Sequence, residues 1–103
     1  MWPNSDDTLD LLNGARQGDA TAVDRLLARH RAAVRRMIQM RMDPALGRRV
    51  DASDIVQDVL VEAHRRLKQY LQNPTMPFHL WLRQMAKDRL IDAHRRHRVA
   101  ARR

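Results

Sequence analysis

The chain has no cysteine. That excludes disulfides and thiolate metal sites, and it suits a reducing cytosol. Aromatic residues are scarce, at 4% of 103 residues. Leu, Val, Ile, Met and Ala must therefore fill the core. Three Gly and four Pro leave room for long helices. No apolar run approaches the ~20 residues needed to span a membrane. The opening stretch, Met1-Trp2-Pro3-Asn4-Ser5-Asp6-Asp7, is acidic and has no apolar signal core, so no export is expected and the location reads as cytoplasmic. Acids are the minority, with 12 Asp and Glu against 20 Lys and Arg.

What is present fits one small folded domain. A chain of this length buries roughly 60–65% of its unfolded surface, so the core is modest. Hydrophobic residues at 44% and charged ones at 31% suit a globular chain. The net charge of +8 and a pI of about 11.5 favour a polyanionic partner, most often nucleic acid. A merely soluble basic protein would carry the same charge.

The pattern is all-α. No stretch alternates apolar and polar residues between turn residues. A short helix is predicted from about Thr8 to Gln17, with Leu9 and Leu12 on its apolar face and Gly18 as its stop. Asp19 can cap a long helix reaching about Met42. Its stripe is Val23, Leu26, Leu27, Val34, Met37 and Ile38, with Arg25, Arg29 and Arg36 mostly opposite. Pro44 and Gly47 form a connector. Asp51 or Ser53 can cap a third helix from about Ala52 to Leu71. It buries Ile55, Val56, Val59, Leu60, Ala63 and Leu67, and turns Asp54, Gln57, Asp58, Val61 and Arg65 the other way. Asn73-Pro74-Thr75-Met76-Pro77 is a stiff loop, because each proline fixes φ and disfavours helix in the residue before it. The last helix runs from Phe78 to about Val99. It buries Phe78, Leu82, Met85, Ala86 and Leu90, and sets Arg83, Lys87, His94, Arg95 and Arg98 toward solvent.

Two surfaces carry chemistry. The acids of the third helix are ordinarily a solvated first turn. With Gln57 and Val61 they also make a mixed patch suited to a basic partner helix. The second surface is denser. From Lys87 to Arg103 there are seven Lys and Arg against two Asp. Basic residues recurring on one helical face track a phosphate backbone, and their density exceeds what a helix C-terminus needs. Phe78 reads as core. Trp81, at the head of the helix, is the candidate for stacking on an unpaired base.

Other chemistries find little support. His94 and His97 are three apart on one helix, but neighbouring arginines repel a cation. His30 lies at the edge of an apolar stripe, and His64 on a helix surface. There is no phosphate-cradling Gly-rich loop and no nucleophile–base arrangement. Asp88 and Asp92 read as a salt-bridge network with Arg95 and Arg96, not as an acid/base pair. No enzymatic activity and no cofactor or metal is expected.

These residues resemble a known family. Asp51-Ala52-Ser53-Asp54-Ile55-Val56-Gln57-Asp58-Val59-Leu60 is similar to region 2.2 of bacterial sigma factors. Phe78-x-x-Trp81-Leu82-x-x-Met85-Ala86-x-x-x-x-Ile91-Asp92-x-x-Arg95-Arg96 resembles regions 2.3 and 2.4 of the extracytoplasmic-function (ECF) class. Gly18-Asp19-Ala20-Thr21-Ala22 resembles the start of region 2.1. The likeness spans about Leu9 to Arg98.

The resemblance implies a four-helix sigma region 2 bundle over residues 1–98, with 99–103 a basic tail or the start of a linker. It implies docking on the clamp helices of the RNA polymerase β′ subunit through Asp54, Gln57, Asp58 and Val61, flanked by Arg25 and Arg29. It implies that the loop and last helix recognise and help melt the promoter minus-ten element. They would hold its non-template strand, with one base flipped into a pocket. Asn73, Thr75, Met76, His79, Trp81, Arg83, Lys87, Arg95, Arg96 and Arg98 are the matching DNA residues. An anti-sigma factor is a further partner class. The family usually has Asn at the position of Asp88, where a carboxylate disfavours close phosphate approach. Its members continue into region 4, which reads the minus-thirty-five element, and no such segment follows Val99 here. Two other readings stand beside this one. The first is a free-standing basic helical nucleic-acid-binding protein, which has no use for the acidic Gln57 face. The second is a small helical enzyme or metalloprotein using His94 and His97.

Overall fold

The computed structural model describes residues 2, 3 and 5–102, and among them every regular element is helical. Helix α1 spans Ser5–Arg16, α2 Ala20–Arg41, α3 Pro44–Gly47, α4 Ala52–Gln72 and α5 Phe78–Ala101. The all-α bundle expected from the sequence is what forms.

Three of the helix starts, those of α2, α3 and α4, are set by aspartates. The Asp19 carboxylate accepts from the Thr21 and Ala22 amides at 2.9 and 3.3 Å. Asp43 accepts from Ala45 at 2.7 Å, and Asp51 from Ser53 at 2.9 Å. Each satisfies amides that have no partner inside the helix. Asp51, not Ser53, is therefore the cap of α4. Gly18 ends α1 with φ of 84°, a conformation that favours glycine. Gly14 serves packing instead. A Cβ there would sit 2.8 Å from the Ala22 Cβ, so only glycine lets α1 and α2 approach this closely.

Two boundaries differ from expectation. The connector around Pro44 contains a one-turn helix, because Pro at its first position follows the Asp43 cap. Leu46 on that turn is fully buried. In α1, which starts at Ser5, Leu9 is 54% exposed. The buried row is instead Thr8, Leu12 and Ala15, spaced four and three apart.

The core is aliphatic, as the aromatic scarcity requires. Leu26, Val34, Ile38, Val56, Val59, Ala63 and Leu82 are all sealed from solvent. Leu60, expected in the stripe, is only half-buried. Helix α4 packs on both α2 and α5, so α5 is held by one apolar stripe: Leu82, Met85, Ala86, Leu90 and Ala93. Val23 of α2 shares a hollow with Leu67 and Leu71 of α4, whereas Gln39 and Met42 sit near Ala52. Helices α2 and α4 are therefore antiparallel.

His30 is buried completely, deeper than the core edge expected for it. Its Nδ1–H donates to the Leu26 carbonyl at 2.8 Å, leaving Nε2 without a partner. The Phe78 ring meets it edge-on at 4.9 Å, and the Trp2 ring lies 6.4 Å away. Burial, with smaller contributions from Arg29 and His79, holds its pKa below the usual 6.5, against the raising effect of the Leu26 carbonyl. A group whose folded pKa is depressed contributes stability above its unfolded value and loses it as pH falls through the folded one. The protein should therefore unfold more readily at pH 5 than at pH 7.5 in urea. His30→Leu should flatten that dependence. An unchanged pH profile in the variant would place the acid sensitivity elsewhere.

Candidate nucleic-acid interface

The corner between α4 and α5 gathers three of the chain's four aromatic residues. Tyr70 and Trp81 lie with ring centroids 4.8 Å apart, and Phe78 is 5.5 Å from Trp81. The Tyr70 hydroxyl donates to the Met76 carbonyl, which ties the two-proline loop to the end of α4. Burial raises the Tyr70 pKa above 10.0, partly offset by Arg16, so the hydroxyl keeps its proton through the neutral range. Phe78 is core, as expected. Trp81 is half-buried, so the aromatic cluster takes part of its surface and the remainder stays accessible.

Two open hollows of about 280 Å³ each flank Trp81. One is lined by Arg66, Gln69, Tyr70, Asn73 and Thr75 besides Trp81. The other is lined by Arg66, Thr75, Met76, Gln84 and Asp88. Four of the predicted DNA residues, Asn73, Thr75, Met76 and Trp81, thus surround space large enough for a nucleobase. His79 lies apart from these hollows, 6.2 Å from the Trp2 ring.

Along α5, Arg83, Lys87, Arg95 and Arg98 are all exposed. At 100° per residue they span roughly a third of the helix circumference, a row that can follow a backbone. Two other basic residues serve the fold. Arg89 Nε donates to Glu62 Oε2 at 2.7 Å, and Arg66 approaches the other Glu62 oxygen at 3.6 Å. Glu62 therefore clips α4 to α5. Asp88 and Asp92 were expected to hold arginines, yet the ion pairs between these helices run through Glu62. The reason is position: Glu62 sits between the helices, whereas Asp88 and Asp92 are exposed. His94 is also not free in solvent. Its Nε2 accepts from the Asp43 amide at 3.2 Å, anchoring α5 to the start of α3. Among the described residues no cluster of His and acids suits a metal.

The acidic face lies at the opposite end of α4. Asp54, Gln57 and Asp58 are exposed, and Val61 is 43% exposed. Asp54 and Asp58 border a hollow of about 350 Å³ with Arg49, Arg96 and His97. Arg96 therefore neighbours two carboxylates and stands apart from the row of Arg83, Lys87, Arg95 and Arg98. The antiparallel packing carries Arg25 and Arg29 toward the C-terminal half of α4, away from Asp54 and Asp58. Arg29 is paired there with Asp7 of α1 at 2.9 Å.

The family model of sigma-70 region 2 matches residues 23–99. The chain belongs to that family. Sigma factors of this kind act in transcription initiation and promoter recognition, their region 2 is a non-enzymatic transcription-factor domain, and this one is a DNA-binding helical bundle. No curated protein and no solved structure matches the chain significantly. The match spans both surfaces of the region 2 domain and leaves α1 and Trp2 outside it. None of the described helices is long and apolar enough to cross a membrane.

Sequence reasoning overlooked Tyr70, Glu62 and Arg66. Tyr70 had a signal, since aromatics at 70, 78 and 81 bracket the loop. Glu62 and Arg66, four apart on one helix, also had one. Tyr70→Phe keeps the ring and removes the tie to Met76. It should cost about 1 kcal/mol of stability and speed amide exchange at Asn73, Thr75 and Met76. Unaltered exchange at those amides would mean that the prolines alone hold the loop.

Proposed function

We propose that the chain is region 2 of an ECF sigma factor that binds RNA polymerase core and helps open the minus-ten element. Residues 1–98 form the working domain, and 99–103 begin a linker or tail. The protein acts in the cytoplasm. Asp54, Gln57, Asp58 and Val61 dock on the β′ clamp helices, where acids meet a basic partner helix. Arg25 and Arg29 are then a separate, secondary patch.

On the other surface, Arg83, Lys87, Arg95 and Arg98 meet phosphates, and Arg96 shields the acidic face. The loop residues Asn73, Thr75 and Met76, with Trp81, take an unstacked base of the non-template strand. His79 supports the head of α5 beside them. Melting follows from this division. A base held outside the duplex cannot re-pair, so binding energy is spent on the open form.

One observation carries this reading: an exposed acidic, amide and aliphatic patch at one end of α4, and base-sized hollows at its other end, where the cationic row of α5 begins. A generic basic protein would need only the second.

The test uses a β′ clamp-helix fragment and minus-ten oligonucleotides. The domain should bind the fragment, and Asp58→Arg should weaken that complex by several kcal/mol, as like charges opposed at an interface do. Helix content and affinity for single-stranded DNA should be unchanged. The domain should also prefer single-stranded to duplex DNA of the same sequence. Equal affinity for the two DNA forms, together with no fragment binding, would favour the free-standing basic protein.

A further inference from the structure

Asp88 is the one acid that lines the hollow shared by Thr75, Met76, Trp81, Gln84 and Arg66. It takes part in none of the ion pairs among the described residues, which at this corner run through Glu62. A free carboxylate on a cationic face works against phosphate binding, so it is costly wherever the backbone passes close. At the wall of a base-sized hollow it does something else. It offers two acceptor oxygens and no donor to whatever enters.

The Watson–Crick edges of the four bases answer that demand differently. Cytosine and adenine present an exocyclic amine, and guanine presents an amine beside a ring N–H. Thymine presents two carbonyl oxygens around a single N–H, so two of its three groups oppose a carboxylate. Carboxylate side chains accept from the cytosine amine by this same logic. Arg66 also lines the hollow and supplies donors for the carbonyl or ring-nitrogen acceptors that an amine-bearing base also carries. Arg66 is 56% exposed and only loosely paired with Glu62 at 3.6 Å, so its guanidinium is free to turn. Trp81, at the same wall, supplies a stacking surface indifferent to base identity. The hollow thus combines one neutral platform, one carboxylate that only accepts and one guanidinium that only donates, beside Thr75 and Gln84, whose hydroxyl and amide do both.

We infer that Asp88 is a specificity residue: its carboxylate selects a base bearing an exocyclic amine at one minus-ten position and turns thymine away. This rests on the proposed function, since it needs a base in the hollow. It goes further by naming the class of base and the group that chooses it.

The experiment measures binding of the chain to a library of single-stranded octamers randomised at every position. The wild type, Asp88→Asn and Asp88→Ala are compared, each checked for helix content. In the wild type, one position should disfavour thymine by about tenfold, as one good base contact is worth. Asp88→Asn presents a donor as well as an acceptor and should admit thymine there. Asp88→Ala should lose the preference at that position and keep all others. If both variants retain the wild-type bias against thymine, the role of Asp88 is overturned while the proposed function stands. If the wild type shows no affinity for single strands, the proposed function fails and the inference falls with it.

Discussion

Tyr70 closes α4 with its ring against Trp81 and Phe78, and its hydroxyl holds the Met76 carbonyl across the loop. Every candidate base-contacting side chain hangs from that corner. The loop is short and contains two prolines, so it has little freedom of its own. Proline stiffness fixes the path of a chain but not its distance from a neighbour. The hydroxyl supplies that distance. Phe78 then passes the constraint inward, since its ring abuts buried His30 at 4.9 Å. The position of the loop is thus set by the core of the bundle.

The second constraint is how a strongly basic helix stays attached. Helix α5 carries six Lys and Arg against two Asp, and it packs partly on α2, which carries six Arg against one Asp, so the two repel. Its contact stripe is narrow and made of small and medium residues, including Ala86 and Ala93. Glu62 compensates by taking Arg89 from α5 while Arg66 of its own helix sits nearby. At the far end, the Asp43 amide donates to His94. Two polar ties and one stripe hold the helix, leaving its outer row unspent. A single arginine among many is thus structural, and its neighbours keep their charge for a partner.

Much of this was legible in the sequence, for physical reasons that differ by element. Helix starts were readable because Asp caps act within three residues of themselves. The stripes of α2 and α4 were readable because burial repeats at the helical period. The first helix was misjudged because Leu9 and Leu12 are spaced correctly, yet the buried row passes through Thr8, and hydrophobicity alone does not fix rotation about the axis. The single turn at Pro44–Gly47 was missed because it is too short to show a period. The ties that cross between helices, Glu62 to Arg89 and Asp43 to His94, were not readable. They join residues 27 and 51 positions apart, and no local rule selects such partners. Both candidate surfaces were visible as composition. That Arg96 faces acids and Asp88 faces a hollow required the fold.

In the proposed function α4 is a bridge, with the polymerase patch at its first turns and the DNA corner at its last. The two partners are then held at once and do not compete. The direct measurement is the mass, by light scattering, of the domain mixed with a β′ clamp-helix fragment and a single-stranded minus-ten oligonucleotide. The proposed function predicts a complex containing one copy of each. Displacement of the oligonucleotide by the fragment, with only two-component complexes at saturation, would contradict it.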